Sequence, residues 1–133
     1  MIRYVIDASV AAEYLLRTPL GLKLADLIEG AFLLAPELLD VEVVSVLRRA
    51  VLRRQLEEPR ASLALEDLID WPVDRIPHTA LIREAWKHRQ NVSAYDAFYV
   101  AVARLYDASL LTADGPLARA PVLGIVVQNV RMG

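Results

Sequence analysis

Short apolar runs alternate with longer amphipathic segments along this chain. The short runs are rich in β-branched and aromatic residues, which favours buried strands, and they fall at 2–6, 32–35, 73–76, 109–112 and 124–127. The longer segments repeat apolar residues at helical spacing, at 10–16, 20–30, 38–54, 59–69, 78–88 and 93–106. Strands that alternate with helices predict an α/β fold in which helices cover both faces of a parallel central sheet.

Local signals mark where several of these elements begin and end. Residues 18–19 (Thr-Pro) are typical of a helix N-cap followed by proline, and Gly30 is typical of a helix end. Residues 114–116 (Asp-Gly-Pro) predict a turn. In the segment 93–106 the large side chains are expected on one side of a helix: Tyr95, Phe98, Tyr99, Val102 and Tyr106.

Length and composition narrow the class of protein. A chain of 133 residues with 56% hydrophobic and 24% charged residues predicts a single globular domain, residues 1–133. The absence of cysteine excludes a disulfide scaffold and a thiolate metal site. His78 and His88 are the only histidines, which argues against a multi-histidine zinc site, and both are expected at the surface or at helix ends.

Location and charge give further expectations. No apolar stretch approaches the roughly 20 residues of a membrane span, and the first seven residues make a poor signal peptide, so we expect a cytoplasmic protein without membrane contact. The chain has 15 Lys and Arg against 17 Asp and Glu, a net charge of −2 that argues against a generally basic nucleic-acid coat.

Four acidic residues lie at the predicted ends of elements. Asp7 directly follows the first strand, and Asp114 follows the strand at 109–112. Asp96 falls in the first turn of one helix and Glu42 early in another. Because ligands of parallel α/β sheets bind beyond the carboxyl ends of the strands, these four carboxylates are expected to converge on one cleft.

Each of the four also has a local explanation. Asp7 is suited to cap the helix that follows it, Asp96 fits a capping box with Ser93, and Asp114 is a favoured turn residue. Glu42 stands among valines, where a charge needs a partner or solvent. Arg48 and Arg49 are available to pair with it.

Taken together, the four carboxylates predict a cation site. Two unit charges about 4 Å apart repel by about 4 kcal/mol at an effective dielectric constant near 20, so such a pocket needs protons or a cation. Oxygen ligands without sulfur or imidazole favour Mg²⁺ or Mn²⁺, and Mg²⁺ commonly meets phosphate. Phosphoryl chemistry is therefore the predicted task.

Four segments together resemble a known family. They are residues 4–10 (YVIDASV), 35–49 (APELLDVEVVSVLRR), 95–101 (YDAFYVA) and 110–117 (LLTADGPL). In this order they resemble the PIN-domain ribonucleases, and among them the VapC-type toxins of toxin–antitoxin pairs. The resemblance covers the chain almost end to end and implies a PIN-like fold, three-layer α/β/α with a parallel sheet of about five strands.

The resemblance also implies roles for individual residues. Asp7, Glu42, Asp96 and Asp114 would be the catalytic and metal-binding carboxylates. Ser9 and Thr112 would be hydroxyls that line the same pocket.

One departure and one ambiguity accompany this assignment. Ser45 stands where the family often has asparagine. Glu37 and Asp40 lie close to Glu42 in the sequence, and the spacing of Glu42 to Leu-Arg-Arg at 47–49 favours Glu42.

The resemblance implies Mg²⁺ (or Mn²⁺) as cofactor, RNA as substrate, a cognate antitoxin as partner, and a homodimer. The helices between residues 10 and 28 are candidates for the dimer contact, with ordinary core packing as the alternative. Arg48, Arg49 and Arg17 are candidate RNA contacts, with a solvated helix face as the alternative. Tyr14 and Trp86 are suited to stack on bases, although core packing is the simpler expectation for both.

Other functions remain for comparison. A PIN-like binding module without catalysis and a housekeeping RNA-processing nuclease are the alternatives to a toxin. A receiver domain and an Asp-based phosphatase fit poorly, because Asp7 has no acidic neighbour and no lysine follows a predicted strand.

Overall fold

The computed structural model describes residues 2–120 and 124–131. Its strands are β1 (Arg3–Ile6), β2 (Phe32–Pro36), β3 (Asp74–Ile76), β4 (Ser109–Thr112) and β5 (Val127–Asn129). Its helices are α1 (Ala8–Leu16), α2 (Pro19–Glu29), α3 (Leu38–Leu52), α4 (Glu58–Asp70), α5 (Ile82–Trp86), α6 (Ala94–Leu105) and α7 (Gly115–Ala118), with a short 3-10 turn at His78–Ala80.

The five strands form one parallel sheet in the order β3-β2-β1-β4-β5. Helices α1 to α4 pack against one another, whereas α5 packs against α6 and α6 lies on β1, β2 and β4. The three-layer α/β/α architecture expected from the alternation of strands and helices is confirmed.

The strand order places a topological switch at the centre of the sheet. From β1 the chain moves outward to β2 and β3, then returns over the sheet through α6 to β4, the other neighbour of β1. The carboxyl ends of β1 and β4 therefore flank a crevice, the usual ligand position in open parallel sheets.

The core consists of the sheet and the inward faces of its helices. Val5, Ile6, Leu110 and Leu111 are completely buried, as expected for central strands covered on both faces. Leu39, Val43 and Leu47 bury one stripe of α3. This stripe fixes how α3 is rotated and therefore where its polar side chains emerge.

Helix α6 differs from the one-sided pattern that its large residues predict. Tyr99 and Val102 are buried, but Tyr95 is 63% exposed and Tyr106 is also exposed. The intervening alanines and Val100 are buried because α6 packs on the sheet and on α5 together. Its small side chains let α6 lie close to its neighbours.

The end of the chain also differs from the prediction. The expected turn at 114–116 begins helix α7, in which proline occupies the first turn. Strand β5 lies at 127–129 rather than 124–127, because its pairing with β4 aligns Val127 with Leu110. Residues 121–123, which precede the expected strand, lie outside the described residues.

One further expectation is wrong and another holds in part. His88 was expected at the surface or at a helix end; it lies just after the end of α5, but it is only 9% exposed and its ring contacts the Glu84 carboxylate at 3.0 Å. Trp86 was expected in the core but is 66% exposed, and the Arg89 guanidinium lies over its ring. Tyr14, by contrast, packs in a ring stack with Trp71.

No helix in the described part of the chain is both long enough and apolar enough to cross a membrane.

The junction of α1 and α2 is very tight. The side chain of Thr18 caps α2 and accepts a hydrogen bond from the Gly21 N–H at 3.1 Å. Gly21 is buried, and a Cβ added there would overlap the backbone carbonyl of Glu13. Only glycine permits this approach of α2 to α1, the helix that Asp7 caps.

We expect Gly21→Ala to destabilise the protein, because the added methyl group must push the two helices apart. Overpacking of this kind costs about 1–3 kcal/mol. Gly30→Ala is the matched control, since its Cβ would meet only the Asp26 carbonyl oxygen at 3.2 Å and its φ is −88°. Urea unfolding measures both variants, and equal stability of the two would contradict the tight contact.

Candidate active site

Asp7 is buried at the carboxyl end of the central strand, with 6% of its surface exposed. Its Oδ1 accepts hydrogen bonds from the Ser9 hydroxyl at 2.6 Å and from the Val10 N–H at 3.1 Å. Its Oδ2 accepts one from the Thr112 hydroxyl at 2.5 Å. The capping role expected from the sequence is therefore real, but it occupies only one of the three bonds.

The two hydroxyls are themselves oriented by backbone donors. The Ser9 hydroxyl accepts a hydrogen bond from the Ala113 N–H at 2.9 Å, and the Thr112 hydroxyl accepts one from the Asp114 N–H at 2.9 Å. A hydroxyl that accepts in this way has its own proton free to donate. Both protons point at Asp7, so the carboxylate is held in one orientation.

The surroundings of Asp7 act on its pKa in opposite directions. Burial raises the pKa of Asp7 above its ordinary value, and the charge of Asp114 adds to this effect. The bonds from Ser9, Thr112 and Val10 lower it, and burial prevails. Ionisation of Asp7 in the folded protein therefore costs free energy, and a nearby cation would offset that cost.

Asp96 lies half-buried in the first turn of α6. Its backbone N–H donates to the Ser93 hydroxyl at 3.1 Å, so the expected N-cap is formed. Burial raises the pKa of Asp96, and the negative charges of Asp114, Asp7 and Glu42 raise it further. The other three predicted acids are thus all close enough to Asp96 to act on its pKa.

Glu42 emerges from α3 beside Tyr99 of α6. The buried Tyr99 hydroxyl donates to Glu42 Oε1 at 2.6 Å, across 57 positions of sequence. Burial raises the pKa of Tyr99 far above its ordinary value, followed by its bond to Glu42 and the charges of Glu42, Asp7 and Asp96. The phenol therefore stays protonated and acts as a donor.

Asp114 occupies the N-cap position of α7, yet its side chain makes no capping hydrogen bond. The negative charge of its carboxylate instead raises the pKa of Asp7 and of Asp96. Its backbone N–H holds Thr112, so this residue contributes to the cluster through main chain and side chain alike.

The competing acids beside Glu42 have other partners. Asp40 forms an ion pair with Arg75 at 3.0 Å, and that guanidinium also donates to the carbonyl oxygens that end α4. Glu37 precedes α3, and its carboxylate accepts only a long bond of 3.4 Å from the His78 N–H. Of these three acids, Glu42 is the one that accepts a hydrogen bond from Tyr99 and acts on the pKa of Asp96.

The predicted basic residues lie away from the carboxylates. Arg48 and Arg49 are exposed on α3, and Arg49 donates to Ser45. Arg17 ends α1 in a left-handed conformation (φ 54°), about 15 Å of helix away from Asp7. The structure therefore does not bring these three arginines into the cluster.

Two residues near the cluster were not singled out from the sequence. Tyr99 stands three residues after Asp96, a spacing that places both on one side of a helix and could have drawn attention to it. Arg131 donates to the Ala113 carbonyl at 3.2 Å and pairs with Glu13. No sequence signal predicts the Arg131 contact, because it depends on how β5 aligns with β4.

The donor set fits a hard divalent cation. In the described part of the chain no Arg or Lys forms an ion pair with any of the four acids. Nor do three Asp, Glu or His side chains there form a preassembled metal-binding group. Mg²⁺ commonly binds through one or two carboxylates and keeps several waters, which suits an open group of acids.

Comparison with known proteins agrees with the fold and the motifs. The family model described as "PIN domain" matches residues 4–123. Ribonuclease VapC1 of Mycobacterium tuberculosis is 40% identical over 129 residues, which cover 96% of this chain and 97% of that protein.

Solved structures are similar in fold. PAE2754 from Pyrobaculum aerophilum has a TM-score of 0.66 at 22% identity and covers 98% of this chain and 92% of its own. VapBC2 from Rickettsia felis, solved bound to a DNA fragment from its promoter, has a TM-score of 0.57 at 14% identity and covers 96% of this chain and 98% of the matched chain. With the family match and the close relative, these findings show that the chain belongs to the PIN-domain family and, within it, to the VapC ribonucleases.

Proposed function

We propose that this chain is an endoribonuclease that hydrolyses RNA phosphodiester bonds with Mg²⁺ or Mn²⁺, held by Asp7, Glu42, Asp96 and Asp114. One observation carries the proposal: Asp7, Glu42 and Asp114 all lie close enough to Asp96 to raise its pKa, at the switch in strand order, and none of the four acids has an ion-pair partner among the described residues. Such a group repels phosphate unless a cation is present.

Each of the four acids would have a role in catalysis that follows from its surroundings. Asp7 is the rigid ligand, because two hydroxyls and a backbone N–H fix both of its oxygens. Asp96 is more exposed and its raised pKa suits a carboxylate that accepts a proton from the attacking water. Glu42 and Asp114 complete the ligand set. The bound cation would neutralise phosphate charge and make water a stronger nucleophile.

The charge balance is compatible with an RNA substrate. Of the 17 acidic residues, 13 remain outside the cluster, against 15 basic ones. Arg48 and Arg49 on α3, and Arg17 at the more distant end of α1, are candidate phosphate contacts. Arg131 is a further candidate because it lies next to β4, beside Asp114.

We further propose that the chain is the toxin of a toxin–antitoxin pair, acts in the cytoplasm, binds a cognate antitoxin and forms a homodimer. The VapC relatives and the VapBC2 neighbour support the antitoxin. Helix α1 is used mainly for the core, whereas α2 leaves Leu22 and Leu27 exposed and available to a second chain. A housekeeping nuclease remains the second candidate, and an antitoxin gene beside the gene for this chain distinguishes the two.

We expect the purified chain to cleave single-stranded RNA with Mg²⁺ or Mn²⁺, and to lose this activity when EDTA removes the cation. Asp96→Asn should reduce the cleavage rate by at least about 100-fold, since even indirect partners of metal ligands contribute about 10- to 100-fold. Gel analysis of an end-labelled RNA measures both effects. Cleavage that persists in EDTA would contradict the proposal. An Asp96→Asn variant that cleaves RNA as fast as the native chain would also contradict it.

We expect Glu42 and Glu37, the acid that precedes α3, to differ in their importance. Glu42→Gln should reduce cleavage by at least about tenfold, because the amide removes a charged oxygen ligand. Glu37→Gln, five residues earlier at the N-cap of α3, is the matched control and should leave the rate within about twofold of the native value. Equal losses in the two variants would show that Glu42 has no special place in the site.

We expect repulsion within the cluster to affect stability in a pH-dependent way. The pKa of Asp96 is raised in the folded state, so its ionised form destabilises the fold, and a fall in pH through that raised pKa removes the cost. Without divalent cations, Asp96→Asn should therefore melt roughly 2–4 °C above the native chain at pH 7.5. The difference should shrink towards pH 4.

Thermal melts of both proteins in EDTA across this pH range measure the effect. Asp26→Asn, which alters an exposed acid of α2, provides the control for loss of a negative charge. A native chain that is more stable than Asp96→Asn at pH 7.5 would contradict the predicted repulsion.

A further inference from the structure

Tyr99 is the only described residue that donates a hydrogen bond to the Glu42 carboxylate, with the hydroxyl 2.6 Å from Oε1. The tyrosine is 1% exposed and its ring lies in the core, so its hydroxyl has little freedom to move. The bond joins α3 to α6, the two helices that carry Glu42 and Asp96. The bond therefore links Glu42 to the helix on which Asp96 lies.

Glu42 needs such a restraint more than the other acids do. A glutamate side chain has three rotatable bonds, and the negative charge of Asp96, which interacts with Glu42, would favour rotation of the Glu42 carboxylate away from it. Asp7 is restrained by Ser9 and Thr112, and Asp96 and Asp114 have shorter side chains that begin at helix N-termini. A donor on one oxygen of Glu42 opposes this rotation and leaves Oε2 available to a ligand.

We propose that Tyr99 is a positioning residue of the nuclease site: its buried hydroxyl holds the Glu42 carboxylate in the orientation that binds the divalent cation. This inference rests on the proposed function. Phenylalanine would fill nearly the same volume in the core, so packing alone does not explain the hydroxyl of Tyr99. The proposal gives that hydroxyl a role.

The test compares Mn²⁺ affinity in variants that keep the core filled. Tyr99→Phe removes only the oxygen, and it should weaken Mn²⁺ binding by about 10- to 100-fold, the usual effect of losing a hydrogen bond to a metal ligand. Tyr4→Phe is the matched control, because Tyr4 is also buried, in β1, and its hydroxyl bonds to none of the four acids. It should leave Mn²⁺ affinity unchanged within about twofold.

A double-mutant cycle separates positioning from general damage to the fold. In a Glu42→Gln background, the added Tyr99→Phe change should alter Mn²⁺ affinity by less than about twofold, because the carboxylate that it positions is gone. Electron paramagnetic resonance of free Mn²⁺ gives these affinities without RNA, and circular dichroism shows whether each variant is folded.

The outcomes are distinct. A folded Tyr99→Phe protein that binds Mn²⁺ as tightly as the native chain overturns the role of Tyr99 and leaves the proposed function intact. An effect that is equally large in the Glu42→Gln background also overturns it. A native chain that binds no Mn²⁺ overturns the proposed cation-dependent function and this inference with it.

Discussion

The Asp7 carboxylate is buried where the central strand ends, and the arrangement around it follows from that burial. A buried charge without partners would cost several kcal/mol, so the fold supplies the Ser9 and Thr112 hydroxyls and the Val10 N–H. These partners come from α1 and β4, which tie the start of the first helix to the neighbouring strand. The backbone at 113–114 then orients both hydroxyls. The same bonds that make the burial tolerable give the candidate ligand a fixed geometry.

The other acids reach Asp7 because of the strand order. With β4 beside β1, the return through α6 brings Asp96 to the crevice, and α3 after β2 brings Glu42. Only Asp7 is deeply buried among the four, so the group remains open on one side, as a site for a polymeric substrate requires. Stability and function oppose each other here: the fold holds like charges together, and burial with mutual repulsion keeps the pKa values of Asp7 and Asp96 high.

The sequence was sufficient to predict the sheet and the main helices, because the alternation of strands and helices is visible in local hydrophobic patterns. It also indicated that the four acids lie at one edge of the sheet, because each follows a strand or lies near the start of a helix. It was not sufficient where a distant contact decides. The register of β5 depends on pairing with β4, which aligns Val127 with Leu110, 17 positions earlier. Trp86 stands among apolar residues in the sequence, but it falls on the solvent-exposed side of the short helix α5. The bond from Tyr99 to Glu42 spans 57 positions and has no local signature.

The central claim is that the four carboxylates form one cation site, and anomalous scattering from Mn²⁺ in crystals of this chain tests it most directly. The account predicts an anomalous peak in the crevice between β1 and β4, at roughly 2.0–2.3 Å from oxygens of at least two of the four acids, which are Asp7, Glu42, Asp96 and Asp114. A crevice without a peak at a saturating Mn²⁺ concentration, or a peak only at other acids such as Asp67 and Asp70, would contradict it.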